Sequence, residues 1–125
     1  MTRQVVRTDE APINPNYSQA VHAAGLIFVS GQGPLDPVSG GIVGDTIEEQ
    51  TRQSLTNVQT ILEAAGSSLD RIVSMTFLLA DPADFAGMNE EWRRWFPTDP
   101  PARSGAKLPF DIPNFRISVV AIAEA

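Results

Sequence analysis

Residues 46–79 read TIEEQTRQSLTNVQTILEAAGSSLDRIVSMTFLL, and this stretch decides the fold. Thr46 followed three residues later by Glu49 is a capping box, each side chain satisfying a backbone N–H that the first helical turn leaves free. From there Thr51, Leu55, Val58, Leu62 and Ala65 recur at spacings of four and three, which lays one stripe along a helix. Gly66 ends it, because glycine takes the left-handed conformation after a last turn at no steric cost. In residues 72–79 the period changes to two. Val73, Met75, Phe77 and Leu79 alternate with Ser74 and Thr76, while Ile72 and Leu78 add apolar surface to the second face. A strand apolar on both sides is an interior strand.

Beyond it, Asp81 and Pro82 combine a capping residue with proline at a first helical position. Phe85, Met88, Trp92 and Trp95 or Phe96 then form the stripe of a second helix, which Pro97 stops. Residues 102–108 and 115–123 read as two strands joined by a turn containing Pro109, Asp111 and Pro113. Upstream, Leu26 to Val29 form an apolar run closing on Ser30 and Gly31, preceded by residues 17–22 and a small-residue turn at Ala23, Ala24 and Gly25. This predicts a hairpin. Residues 31–44 carry repeated glycines and two prolines and predict a loop, and residues 4–7 predict a weaker strand.

The order β, β, β, α, β, α, β, β predicts one six-stranded mixed sheet with two helices, an α/β (α+β) fold. Strand–helix–strand crossovers are right-handed in nearly all proteins, which places both helices on one face. On the last strand Phe115, Ile117, Val119 and Ala121 share one side, and Val120 and Ile122 make the other apolar as well. Two apolar faces with helices enough for one predict burial against another subunit.

The 125 residues suit a single domain spanning 1–125. No cysteine is present, so thiolate chemistry, thiolate metal sites and disulfides are excluded and a reducing, cytoplasmic setting is expected. Fifteen acidic against nine basic residues give a net charge of −6, scattered along the chain. Nucleic-acid binding draws on a basic stripe that releases counterions, so nucleic acid is not expected as a partner. No stretch has the length and apolarity of a leader or membrane span, which predicts a soluble, unexported protein with no membrane partner.

Candidate chemistry centres on Arg103. Arg103, Gly105 and Lys107 share one face of their strand, opposite Ala102, Ser104 and Ala106. A glycine inside a strand often marks the close approach of a ligand, and a guanidinium fork fits a carboxylate with two parallel bonds. A solvated arginine on an edge strand is the competing reading. Ser30 and Gly31 end a strand as the chain bends, so the Gly31 amide and the Ser30 hydroxyl can point outward as donors, or form a plain turn. Tyr17, the only tyrosine, and Asn89, beside the apolar stripe of the second helix, fit either structural or pocket roles. Trp92, Trp95 and Phe96 read as packing. His22 is the only histidine and has no second ligand at a useful spacing, so no metal site is expected. The glycines of 31–44 match neither a phosphate loop nor a dinucleotide fingerprint, and no nucleotide cofactor is inferred.

Several segments together resemble the RidA/YjgF family of reactive-imine deaminases. They are Asn16 to Gln19, Phe28 to Gln32, Gln53 to Val58, Glu63 to Gly66, Met88 and Asn89, Pro101 to Ser104, and Val120 to Ala123, in family order across almost the whole chain. The resemblance implies a chorismate-mutase-like (bacillus-type) fold and a homotrimer with pockets between subunits. It also implies hydrolysis of small enamines and 2-imino acids to 2-keto acids and ammonia, with no cofactor. By the same resemblance Arg103 matches the carboxylate-binding arginine, and Tyr17, Ser30, Gly31 and Asn89 match other pocket positions.

Two positions depart from the family pattern. Val120 stands where a glutamate thought to orient water precedes the Ala-Ile-Ala run, and valine can neither accept a proton nor hold a water. Gly105 stands where cysteine is common, which predicts an enlarged pocket without a thiol. These departures keep two alternatives open: a trimer that binds small carboxylates without turnover, and a related hydrolase acting on a larger substrate. The endoribonuclease role sometimes attached to the family fits poorly with net charge −6 and one histidine.

Overall fold

The computed structural model describes residues 2–125; Met1, the start of the expected 1–125 domain, lies outside them. Six strands, β1 (Gln4–Val6), β2 (Ala20–Ala23), β3 (Leu26–Gln32), β4 (Ile72–Leu79), β5 (Ala102–Lys107) and β6 (Ile117–Glu124), form one sheet in the order β1-β2-β3-β6-β4-β5. Only β4 and β5 are parallel; the helix between them supplies the crossover that a parallel pair needs. The architecture is the predicted α+β sheet with two helices. Helix α1 (Ile47–Ala64) starts at the Thr46–Glu49 capping box and ends before Gly66, whose φ is +82°.

The pleat sorts residues onto two unlike faces. Ile27 and Val29 of β3, Met75 of β4, and Ile117, Val119, Ala121 and Ala123 of β6 are buried with Leu55, Val58, Ile61 and Leu62 of α1. Met88 and Trp92 of helix α2 (Phe85–Trp95) join the same core. The opposite face carries Phe28, Leu78, Val120 and Ile122, none of them buried, and Phe28 is 41% exposed. Both helices therefore serve one side of the sheet, as the crossover rule predicts.

Several boundaries differ from the sequence expectation. Tyr17 lies outside the hairpin and makes an isolated bridge with Asn14, because Gln19 turns inward. Its side chain accepts from the Thr8 N–H (2.8 Å) and donates to the carbonyls of Thr8, Ala11 and Pro12 (3.0–3.1 Å). The second helix is preceded by a short 3-10 turn, Pro82–Asp84, which Asp81 caps through the Ala83 N–H. Phe115 is not on the last strand. Asn114, at φ +64°, turns the chain ahead of it, and the Phe115 ring lies against Gly33, where a Cβ would collide with it. The 31–44 loop holds the end of β3 and a small bridge between Leu35 and Ile42.

Two further buried amides fix the loops around the sheet. Gln50 donates to the carbonyls of Gly44 (3.1 Å) and Asn114 (2.7 Å) and accepts from the Arg116 N–H (2.9 Å). Asn57 donates to the carbonyls of Gly33 (3.2 Å) and Leu35 (3.0 Å). Each amide satisfies loop backbone groups that no ladder could reach.

Glu91 ties the two helices together. Its buried carboxylate accepts from Arg52 on α1 (3.1 and 3.3 Å), from Arg94 (2.8 Å) and from the Trp95 indole N–H (2.9 Å). Burial pushes its pKa up, but the hydrogen bonds from Arg52, Trp95 and Arg94 outweigh that and hold it below the ordinary value. A carboxyl whose folded pKa is depressed contributes its stability above the unfolded pKa and loses it as pH falls through the folded one. Both arginines are more than half exposed, which weakens the pairs, so Glu91→Ala is expected to cost about 2 kcal/mol at pH 7. In urea denaturation that difference should shrink as pH is lowered below about 4. Equal stabilities at pH 7 would remove Glu91 from this role.

Candidate functional site

Arg103 lies on edge strand β5, beside Met75 of β4, so its side chain projects on the helix-covered face. Its Nη1 donates to Asn89 Oδ1 at 2.7 Å. The guanidinium carbon stands 4.9 Å from the ring centre of Phe77, 5.0 Å from that of Trp92 and 5.7 Å from that of Phe85. Three aromatic rings and one amide thus hold a cation whose other N–H groups have no hydrogen-bond partner among the described residues. Burial lowers its pKa from the ordinary guanidinium range, yet arginine stays charged in proteins. Among the described residues no carboxylate lies in salt-bridge range of it; the ion pairs present are those of Arg52, Arg94 and Arg116. An open hollow of about 510 Å³ lies against it, lined also by Asn89, Trp92, Arg93, Pro100 and Pro101.

Gly105 does not line this hollow; it borders a neighbouring one of about 560 Å³ with Phe77, Pro82, Phe85 and Lys107. It pairs with Phe77 across the parallel ladder, and a Cβ built on it would fall within the Phe77 ring. The space a side chain would take is filled by the ring that also faces Arg103. Glycine here is a seat for an aromatic side chain. Nothing in the sequence alone pairs Phe77 with Gly105; the parallel register of β4 and β5 brings them together.

Ser30, Gly31, Val120 and Tyr17 gather on the other face, around a second hollow of about 560 Å³. Ser30 and Gly31 sit where the β3–β6 register shifts, between the Val29–Ala121 and Gln32–Val119 pairs. Such a bulge takes residues out of the ladder and re-aims them. The Ser30 hydroxyl, expected as an outward donor, instead donates to the Ser18 carbonyl at 2.6 Å, so its oxygen is left as an acceptor. A Cβ on Gly31 would stand 3.1 Å from Ser118 Oγ and 3.9 Å from Val120 Cγ2, which places these three residues together. A larger hollow of about 830 Å³ runs from Tyr17 and Ser30 along the edge to Arg3 and Arg7.

The predicted residues therefore form two groups on opposite faces of one sheet. Arg103 and Asn89 make one; Tyr17, Ser30, Gly31 and Val120 make the other. Sequence reasoning missed the walls of both. Trp92 is core packing, as expected, and also one of the rings around Arg103. Ser118 shares the face of Val120 by the period of two, a signal the sequence offered. Phe110 and Ile112 reach the second hollow from the turn before β6, where no periodicity announces them, and Phe115, which alternation assigned to the core side of the strand, joins them there. His22 lies on β2 opposite Ile27, and no cluster of three or more His, Cys, Asp or Glu with metal-binding geometry occurs among the described residues.

Residues 8–125 match the family model described as Endoribonuclease L-PSP, and the chain belongs to this family, the RidA/YjgF family. A RutC family protein of Pyrococcus horikoshii is 44% identical over 97% of this chain and 97% of its own length. The 2-iminobutanoate/2-iminopropanoate deaminase of Capra hircus is 38% identical over 98% of this chain and 90% of its own. The crystal structure of the Escherichia coli YjgF gene product superposes with a TM-score of 0.88 at 34% identity, covering 97% of this chain and 98% of that one.

The interlock of Phe77 and Gly105 can be measured. Gly105→Cys should lower stability by about 2 kcal/mol through overpacking, and Phe77→Val should relieve most of that in the double variant. A double-mutant cycle by denaturant unfolding is expected to give a coupling of about 1–2 kcal/mol. Strict additivity would show that the ring does not need the glycine.

Proposed function

We propose that this protein hydrolyses 2-imino acids to 2-keto acids and ammonia, binding the substrate carboxylate at Arg103. The observation that carries the reading is the state of that guanidinium. It is partly desolvated, held by Asn89 and three rings, and has no carboxylate of its own among the described residues. A small carboxylate is the ligand that completes it, through two charge-assisted bonds. The resemblance of the chain to a protein named 2-iminobutanoate/2-iminopropanoate deaminase supports the same chemistry.

One chain cannot bring both groups of residues to one substrate, because the sheet stands between them. The complete site is shared: one copy presents Arg103 and Asn89, and a second presents Gly31, Ser30, Tyr17 and Val120 around the reacting carbon. Assembly through the uncovered apolar face, as the homotrimer that the family resemblance implies, brings the halves together. Phe28 and Ile122, left bare by the helices, are the surface such an assembly buries.

Val120 supplies no base, and the reaction proceeds without one. A protonated imine carbon is electrophilic, so oriented water adds its oxygen to C2 to give a carbinolamine. A proton passes from that oxygen to the nitrogen, the C–N bond breaks with its electron pair leaving on ammonia, and the last hydroxyl proton follows to form ammonium. Arg103 and the Gly31 backbone then act by position rather than by proton transfer.

Arg103→Ala should lower kcat/KM for 2-iminopropanoate at least 100-fold in a semicarbazide-competition assay, the effect of losing about 3 kcal/mol of carboxylate binding. Val120→Trp should fill the second hollow and abolish activity as well. Mixed oligomers of the two variants contain some sites with both halves intact, and activity should return on mixing. Failure to recover it would place the site within one chain. Carboxylate binding without ammonia release would make the protein a binding module.

A further inference from the structure

Three hydroxyls line the second hollow, those of Tyr17, Ser30 and Ser118, and they differ in what engages them. Ser30 donates its proton to the Ser18 carbonyl at 2.6 Å and has none left to offer a substrate. Tyr17 is 52% exposed, so bulk water competes for it. Ser118 is only 7% exposed, and its hydroxyl has no hydrogen-bond partner among the described residues. Buried hydroxyls are normally paired, so one left free at the wall of a hollow has both a donor and an acceptor for whatever binds there.

The neighbours of this hydroxyl leave it accessible. Ser118 stands on β6 opposite Leu78 of β4, and the period of two puts its side chain on the bare face with Val120. At the β3–β6 bulge it meets Gly31, where a Cβ would stand 3.1 Å from Ser118 Oγ, tighter than ordinary van der Waals contact. Gly31 is not among the residues with left-handed backbone, so its conformation does not call for glycine. What the missing side chain leaves is room beside the Ser118 hydroxyl. None of the twelve residues lining the hollow is charged, so no carboxylate or ammonium competes for the Ser118 proton.

We infer that Ser118 is a proton relay in imine hydrolysis, its Oγ taking a proton from the added water while its own proton passes to the departing nitrogen. This inference rests on the deaminase reading above and gives its proton step a carrier. Water adds to C2 through an oxygen lone pair, the C=N π pair moves onto nitrogen, and the positive charge passes to the added oxygen. An O–H bond must then break and an N–H bond form before nitrogen can leave. Passed directly, that proton crosses a strained ring of carbon, oxygen, proton and nitrogen. With Ser118 between them, an O–H bond of the added water breaks as a bond to Oγ forms, and the Oγ–H bond breaks as the N–H bond forms, through an unstrained six-membered ring. The C–N bond then breaks with its electron pair, and ammonia departs. Serine ends in the state in which it began. No group in the hollow has to ionise, which suits uncharged walls and a valine at position 120. Proton transfer through a positioned side chain contributes typically about 10²–10⁴-fold in rate.

The test uses the intact protein with 2-iminopropanoate generated freshly by an amino-acid oxidase. In Ser118→Ala, kcat should fall about 100-fold. KM, and the calorimetric Kd for 2-oxopropanoate, should stay within about 2-fold, because the carboxylate still sits at Arg103. Ser118→Thr restores a hydroxyl and should recover most of the lost rate. In mixtures of H2O and D2O the rate of the unaltered protein should depend on the deuterium fraction along a curve, as two protons in flight require. The residual rate of Ser118→Ala should follow a straight line. An unchanged kcat in Ser118→Ala, or the same curvature with and without the hydroxyl, would overturn the relay and leave the deaminase reading standing. Loss of the curvature in Tyr17→Phe but not in Ser118→Ala would assign the relay to Tyr17 and overturn this inference as well. Absence of turnover in the unaltered protein would overturn both the deaminase reading and the relay.

Discussion

Two helices cannot cover a six-stranded sheet on both sides, and most of what distinguishes this protein follows from that constraint. The sequence supplies one amphipathic helix between β3 and β4 and another between β4 and β5, and both pack against the same layer of Ile27, Met75, Ile117 and Val119. The pleat then commits every second residue to the bare side. Val120 and Ile122 go there because Val119 and Ala121 go to the core. The same alternation sends Arg103 and Gly105 to the helix side at the far edge of the sheet, where α2 can offer Asn89 and Trp92. The division of candidate residues between two faces is thus a consequence of strand period and helix count, and it is the reason the proposed reaction calls for a second copy.

Loop placement depends on a different device. Gln19, Gln50 and Asn57 are buried amides, and each spends its hydrogen-bonding capacity on the backbone of a segment lacking regular structure. An amide suits this work because it both donates and accepts without the desolvation cost of a charge. The segments they hold are those nearest the second hollow: the stretch before Tyr17, the turn after Gly33, and the turn carrying Phe110 to Phe115. Rigidity of the hollow is therefore built from inside the core rather than from the surface.

The helix at 47–64 was legible because capping box, stripe and terminal glycine all agree, and β4 because its period is clean. The family segments pointed to Arg103, Asn89, Tyr17, Ser30, Gly31 and Val120. Their grouping was not legible, since faces of neighbouring strands become comparable only once register is known. Gly105 shows the difficulty. Its absent side chain predicts space, yet the residue that fills the space is Phe77, twenty-eight positions away and brought alongside by the parallel ladder. Phe115 shows another. Alternation alone extends the last strand to it, and the left-handed backbone at Asn114 breaks the strand first.

The central claim is that one substrate is held by two copies of the chain, its carboxylate at Arg103 of one and its reacting carbon at Gly31 and Val120 of the other. A crystal structure of the assembled protein with 4-methyl-2-oxopentanoate bound tests this most directly. The account predicts the carboxylate paired with Arg103 across a subunit boundary and the carbonyl carbon beside Gly31 of the neighbouring copy. A ligand bound wholly within one chain, or one whose carboxylate is held elsewhere than at Arg103, would contradict it.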